Sequence, residues 1–146
     1  MTDKFIFPKS QKSTFRYWFA HVLAYNLVAI KWGVWRFKYL FHDIEKPFLK
    51  LCLPYDKVRK FHRKYHKHHL SYRNPAKIIW IEILIDWECG MLTKEDSPLN
   101  SRGYCWLQAR KHPEWKERIE KETLPILDKL GVTKCYNRDT DETWEY

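Results

Sequence analysis

The sequence predicts an all-α fold, a single-domain helical bundle of about five to six helices. The chain has 146 residues, the length of one domain, and 45% of them are hydrophobic, which is enough for an ordinary core. Helix start and stop residues recur along it, and no stretch has the alternating pattern of a strand. We expect the helical domain at residues 13–131, between an N-terminal extension, 1–12, and an acidic, frayed C-terminal tail, 132–146.

The first two helices are predicted from their boundaries. Ser13 can cap a helix over residues 15–32, and Gly33 is a plausible stop. A second helix is expected over residues 35–46, because Pro47 disfavours helical backbone at the residue before it. This places the dipeptide His-Asp late in the second helix.

The third and fourth helices are also predicted from their composition and their boundary residues. Residues 55–72 contain no Gly or Pro and are rich in good helix formers, so they predict a third helix. Asn74 as cap, Pro75 at the first helical position and Gly90 as stop then frame a fourth helix with its body at residues 76–89.

The last third of the chain begins with a polar, turn-rich segment. Residues 91–103 predict a loop, and residues 104–111 predict a short helix after it. A last helix is expected from Pro113 to Gly131, kinked or divided at Pro125.

The charge of the chain is strongly positive, with a net charge of +9 and a pI near 9.4. Such a field attracts phosphate-bearing small molecules, nucleic acid or an anionic membrane surface, and charge alone does not choose among them. The N-terminus lacks the apolar stretch of a secretory signal, so we expect a cytoplasmic protein. The longest apolar run, residues 15–30, is interrupted and too short to span a bilayer, so we expect no transmembrane segment.

The histidines are unevenly distributed. His42 adjoins Asp43, His21 lies inside an apolar helix, and four further histidines lie within eight residues: His62, His66, His68 and His69. On a continuous helix His62, His66 and His69 share one face, and His68 points well away from it. Several imidazoles could therefore reach one centre.

Two interpretations of these residues compete. In the simpler one the histidine-rich segment is a solvated basic face, His21 is a satisfied core histidine, and Asp86 is an acid near a helix end. In the other, a His, a His-Asp pair, a His cluster and an Asp on four successive predicted helices converge on zinc, manganese or iron, which imidazole and carboxylate ligands suit. A carboxylate on an apolar helix, as Asp86 is, also needs a partner.

The ordered pattern resembles the H…HD…D signature of the HD superfamily of metal-dependent phosphohydrolases. The matching positions are His21, His42 with Asp43, and Asp86, and the segment LFHDIEKP is similar to the HDxxK form, with Lys46 near the substrate phosphate. The resemblance implies an HD-like helical bundle. It also implies that further histidines could hold a second metal: His62, His68 and His69.

Residues 15–86 are also similar to a family of small uncharacterised HD-like proteins of bacteria and phages. That family has a His after the HD segment, then an Asn, a His-His pair and a helix ending in Asp-Trp. This chain has His66 in place of the Asn, which leaves open whether that side chain binds metal, substrate or neither. The resemblance implies the cytoplasm of a bacterium or of a phage-infected host.

The function implied is hydrolysis of a nucleotide or other phosphate ester by a hydroxide that a metal activates. The centre would hold one or two divalent ions (Mn, Fe, Zn, Ni, Co or Mg), with Asp43 and Lys46 as catalytic residues. Groups near the substrate phosphate would be Lys46, Arg59, Arg63 and His66. The alternatives are an HD-type di-iron oxygenase and a basic helical protein that binds nucleic acid or another partner.

Overall fold

The computed structural model describes residues 6–146, and it confirms the all-α prediction. Helices make up 61% of it, with six α-helices and one small two-stranded sheet in the described part. None of the described helices is long and apolar enough to cross a membrane. The elements are α1 (Phe15–Lys31), α2 (Glu45–Leu49), α3 (Tyr55–Tyr65), α4 (Trp80–Thr93), α5 (Ser101–Lys111), α6 (Lys116–Lys129), β1 (Cys135–Asn137) and β2 (Glu142–Trp144).

Helix α4 is the centre of the fold. One side of it packs against α1, where Ile85 joins a core cluster with Tyr25 and Val28. Its other side packs against α5 and α6, where Ile83 and Leu84 belong to a second cluster. Because apolar residues lie on both sides of α4, polar side chains between them are carried into the interior. Asp86 is such a side chain.

Helix α1 begins at Phe15, as predicted, but its cap is a different residue. The cap is Thr14 rather than Ser13, since the Thr14 hydroxyl accepts a hydrogen bond from Tyr17 N at 3.2 Å. The helix ends at Lys31, and Gly33 follows with a φ of 68°. Gly33 therefore turns the chain, as predicted.

The predicted second helix over residues 35–46 is wrong. The chain forms a 3-10 turn, Phe37–Phe41, and then leaves helical geometry at His42 and Asp43. Asp43 has a φ of 56°, a left-handed conformation that Asp tolerates better than most residues. Helix α2 starts at Glu45 and includes Pro47, which its first turn accommodates because backbone N–H groups there have no helical partner.

The third predicted helix, over residues 55–72, ends at Tyr65 instead. Beyond it the backbone makes tertiary hydrogen bonds, from Arg73 N to Lys64 O and from Ile79 N to Lys67 O, both 2.9 Å long. These bonds replace the helical ones. The prediction that His62, His66 and His69 share a helical face that excludes His68 is therefore wrong.

Helix α4 is shifted relative to its prediction. Asn74 makes no side-chain cap, and Pro75–Lys77 forms a separate 3-10 turn, so α4 begins only at Trp80. The helix also continues past Gly90 to Thr93. The extra turn leads to Lys94, whose charge acts on Asp86.

The two ends of the described chain pack against the domain. Phe7 is buried and pairs with Lys94 through a backbone bridge, whereas residues 1–5 of the predicted extension lie outside the described part. The tail is not frayed: β1 and β2 form an antiparallel hairpin, and the buried Cys135 packs it against α5. Helix α6 begins at Lys116 and runs through Pro125 without a break, and α5 begins at Ser101, within the predicted loop.

Candidate metal centre

The first group of potential ligands comes from three separate parts of the chain. His21 lies on α1, Asp86 on α4, and His42 in the turn between α1 and α2. The Nε2 atom of His21 is 3.0 Å from Asp86 Oδ1, and the Nε2 atom of His42 is 3.6 Å from the same oxygen. All three side chains are buried. This group could hold a metal ion.

The second group consists of histidines from the end of α3 and the segment after it. The Nε2 atoms of His62 and His68 are 3.0 Å apart, and the rings of His68 and His69 are 4.3 Å apart. One ligand atom from each of the three residues falls within 4.8 Å of the others. This second group, His62, His68 and His69, could also hold an ion.

Asp43 lies between the two groups. Its Oδ1 atom is 3.4 Å from His42 Nε2, 3.0 Å from His62 Nε2 and 3.3 Å from His68 Nε2. Its Oδ2 atom is 3.8 Å from His21 Nε2. The left-handed backbone conformation of Asp43 places the carboxylate at this junction. Strained backbone of this kind is concentrated at functional sites.

The spacing of these atoms fits a metal centre. At a metal–ligand distance of about 2.1 Å, neighbouring ligand atoms in an octahedral or tetrahedral shell are separated by about 3.0 to 3.4 Å. The Nε2–carboxylate distances at His21, His42 and His62 fall at or just above this range, from 3.0 to 3.6 Å.

Unsatisfied atoms support the same interpretation. Three buried atoms of the cluster have no hydrogen-bond partner among the described residues: His42 Nε2, Asp43 Oδ1 and His69 Nε2. Buried polar atoms are almost always paired, so these three need a partner such as a cation. The donor set of imidazole nitrogens and carboxylate oxygens fits a divalent metal.

Neighbouring side chains fix the orientation of the imidazoles. Cys89 Sγ lies 3.2 Å from Nδ1 of His21, which leaves Nε2 facing Asp86. The ring of His42 stacks on Tyr25 at 3.8 Å between centroids. Such outer contacts determine which nitrogen a metal would meet, and they hold the ring in place.

The carboxylates of the centre remain ionised. Burial alone would raise the pKa of Asp43, but His42, Lys46 and His62 together hold it well below its usual range. Burial likewise opposes ionisation of Asp86, yet Lys94 and the contacts with His21 and His42 hold its pKa well below normal. Two negative charges are thus held in the interior, as a cation site requires.

The imidazoles differ in protonation. Burial lowers the pKa of His42 to about 4 and also lowers the pKa of His21, although nearby carboxylates act against burial in both cases. Burial lowers the pKa of His69 as well, with the charge of His68 adding to the effect. Neutral imidazole is the form that binds metal. For His62, burial is outweighed by Asp43 and Glu45, which raise its pKa in the metal-free protein.

A cavity of about 630 Å³ opens beside the second group, and His62, His68, His69 and Asp86 line it. A second cavity, of about 230 Å³, reaches His21 and Asp43 from another side. The cluster therefore lies between two cavities, and Lys46 lines both of them.

The predicted phosphate-binding residues do not all lie in one place. Lys46 contacts Asp43, and Arg59 and Arg63 line the larger cavity together with it. His66 is not among the lining residues; its Nε2 atom is 3.3 Å from Glu45 Oε1 and its side chain is 35% exposed.

Two residues of the centre escaped the sequence analysis. Glu45 contacts Nδ1 of His62, and the only sequence signal for it was a carboxylate two residues after Asp43. Lys94 lines the larger cavity, and the charge of Asp86 raises its pKa despite burial. Lys94 lay in a predicted loop, and no neighbouring residue in the sequence indicated that it belongs to the centre.

Comparison of the chain with protein-family models, curated proteins and solved structures finds no match.

Proposed function

We propose that this chain is a metal-dependent phosphohydrolase of the HD type that acts on a nucleotide or other phosphate ester. The observation that carries the proposal is the position of Asp43, whose Oδ1 atom lies within 3.4 Å of one histidine of the first group and two of the second. A carboxylate so placed suits a bridge between two cations. The ordered H…HD…D pattern of the sequence supports the same class.

Two ion sites would share Asp43. The first would be completed by His21, His42 and Asp86, and the second by the histidines of the second group: His62, His68 and His69. Mixed nitrogen and oxygen donors favour Mn, Fe, Zn, Co or Ni over Mg, which prefers oxygen ligands and bound water. A bound divalent ion supplies a hydroxide at neutral pH from coordinated water.

The remaining residues would bind the phosphoryl group. Lys46 lies against Asp43 at the junction of the two groups, and Asp43 raises its pKa even though burial acts against this, so it stays protonated. Lys94 stays protonated for a related reason, because the charge of Asp86 raises its pKa despite burial. Fixed cations in a partly dry cavity stabilise charge that develops on phosphoryl oxygens, because they need no reorganisation.

The larger cavity fits a substrate with a phosphate and an aromatic base. Its volume of about 630 Å³ lies within the usual range for small-molecule sites. Arg59 and Arg63 line it with the histidines, and Trp87, Tyr104 and Trp115 supply aromatic surface. Aromatic side chains of this kind stack well on nucleobases. A nucleotide is therefore the substrate class we favour.

Phosphate release tests the proposal. The chain, loaded separately with each of the six metals named above, is incubated with nucleoside mono-, di- and triphosphates and with a simple aryl phosphate, and the Asp43→Asn variant is the matched control. We expect hydrolysis by the wild type with at least one metal and none by the variant. Metal-loaded protein that consumes oxygen and releases no phosphate would support the di-iron oxygenase instead. Steeply salt-dependent nucleic-acid binding without metal would support the binding protein.

A further inference from the structure

Helix α1 is apolar on both of its sides. The inner side packs on α4, but five large side chains on the outer side are 49–66% exposed: Phe15, Phe19, Leu23, Leu27 and Ile30. Their spacing of three or four residues forms one continuous stripe. A helix that is apolar all round is normally covered on every side. We therefore expect a binding partner to cover the outer side of α1.

A second apolar strip lies beside this stripe. Trp35 Nε1 donates a 2.7 Å hydrogen bond to Asn26 Oδ1 near the C-terminal end of α1, and Lys50 contacts Ser13 O at its N-terminal end. The segment between Trp35 and Lys50 thus runs antiparallel along α1. Residues of this strip are 51–82% exposed: Phe37, Phe41, Phe48 and Leu51. We call the stripe and the strip together the apolar face.

The area of the apolar face is unusual for an uncovered surface. At roughly 200 Å² for a fully exposed large side chain, its residues present about 1,000 Å². The largest apolar patch on a typical monomer is about 300–600 Å². The difference indicates a docking surface rather than scattered exposed residues.

The charges around the apolar face indicate which kind of partner it binds. Within residues 15–53, all of which the structure describes, the acidic residues are Asp43 and Glu45, and both belong to the candidate metal centre. The exposed ionised side chains there are cations, among them Arg16, Lys31 and Arg36. A second copy of the chain would bring like charges together, whereas an anionic lipid surface complements them.

We propose that the apolar face docks on an anionic membrane surface. Helix α1 lies in the plane of the interface, because its inner side remains packed on α4 while its outer side enters the acyl boundary. The flanking cations contact lipid headgroups. This inference does not depend on the chemistry of the metal centre, to which α1 contributes the buried His21 rather than its exposed residues.

Vesicle flotation with the full chain tests the proposal. Vesicles of phosphatidylcholine alone are compared with vesicles that also contain phosphatidylglycerol. We expect the chain to float with the anionic vesicles and much less with the neutral ones. The Leu23→Glu/Leu27→Glu variant should partition about tenfold or more weakly, because two apolar side chains no longer enter the lipid. The matched control is Leu92→Glu, a leucine of similar exposure (41%) on α4, which should float like the wild type.

Folding and self-association are measured on the same samples. Far-UV circular dichroism and metal content identify a variant that has not folded, and in that case Phe48→Glu, outside α1, replaces the double variant. Equal binding to neutral vesicles, or no binding to anionic ones, overturns the proposal. A third outcome would also overturn the proposal. If the wild type does not float but forms a dimer, and the Leu23→Glu/Leu27→Glu variant is a monomer, the apolar face binds a second copy of the chain.

Discussion

The Glu45 carboxylate accepts a hydrogen bond from Nδ1 of His62, a residue 17 positions further along the chain. Because Nδ1 carries the proton, Nε2 of His62 presents its lone pair toward Asp43 and His68. Glu45 thus fixes both the tautomer and the ring orientation of a potential ligand.

Replacing Glu45 with Gln tests this role. We expect metal affinity to fall about 10- to 100-fold, since the neutral amide supports the His62 tautomer less strongly than a carboxylate does. Competition with a chelator of known affinity measures the change. The control is Glu88→Gln on α4, whose carboxylate accepts a hydrogen bond from Ser101 N instead of contacting a histidine, and it should leave affinity unchanged. Unaltered affinity in Glu45→Gln would show that the charge of Glu45 does not support metal binding through His62.

Lys46→Met should separate catalysis from metal binding. The ammonium group contacts Asp43 and lines both cavities, so its loss removes a cation that stabilises phosphoryl charge. We expect kcat to fall by about 10²-fold or more with metal content retained. Elemental analysis and phosphate release on the same sample measure both effects. Loss of metal would instead mean that Lys46 acts by holding Asp43 in position.

His21→Ala and His69→Ala should each remove one ion rather than both. His21 belongs to the first ligand group and His69 to the second, and the two groups are joined through Asp43. Metal content per chain, measured after reconstitution and gel filtration, should therefore drop by about half in each variant if two ions are bound. Complete loss in both variants would indicate a single shared ion. The control is His112→Ala, an exposed histidine after α5.

The metal-free protein should lose stability in mild acid through His42. Burial lowers the pKa of this residue from 6.5 to about 4, so between these values the unfolded chain binds a proton that the folded protein does not. The free energy of unfolding then falls as the pH falls, by roughly 3 kcal/mol over the whole interval. The lowered pKa values of His21 and His69 act in the same direction below 6.5, so His42 supplies only part of the loss. The raised pKa of His62 acts in another window, above 6.5, and the lowered pKa values of Asp43 and Asp86 act below 3.8.

Urea unfolding at about pH 7 and about pH 4.5 measures this effect. The His42→Gln variant should lose less stability between the two conditions than the wild type, because its side chain does not titrate. An equal loss in both proteins would assign the acid sensitivity to other groups.

The sequence was sufficient to predict the all-α class and to single out most of the side chains that the fold brings together, although Glu45 and Lys94 were missed. His21 and Asp86 could each have a structural role when taken alone, and it was their order along the chain with His42, Asp43 and the histidine-rich segment that singled them out. The local course of the backbone was less predictable. Helical periodicity placed His68 away from its neighbours, but α3 ends at Tyr65 and His68 turns inward to His62.

The missed features depend on long-range contacts. Backbone bonds from residues beyond position 70 back to Lys64 and Lys67 end α3, and no local signal encodes them. The left-handed conformation of Asp43 is also set by its surroundings, since a continuous helix through it was compatible with local propensity. Lys94 reaches the centre only because α4 continues beyond Gly90.

The most direct test of the metal centre is the metal content per chain. It is measured for the wild type and for Asp43→Ala, both purified without added metal and then reconstituted with Mn, Fe or Zn. Asp43 lies between both ligand groups, so we predict one or two equivalents bound by the wild type and essentially none by the variant. A wild type that binds none of these metals, or a variant that binds as much as the wild type, would contradict the assignment of a metal centre.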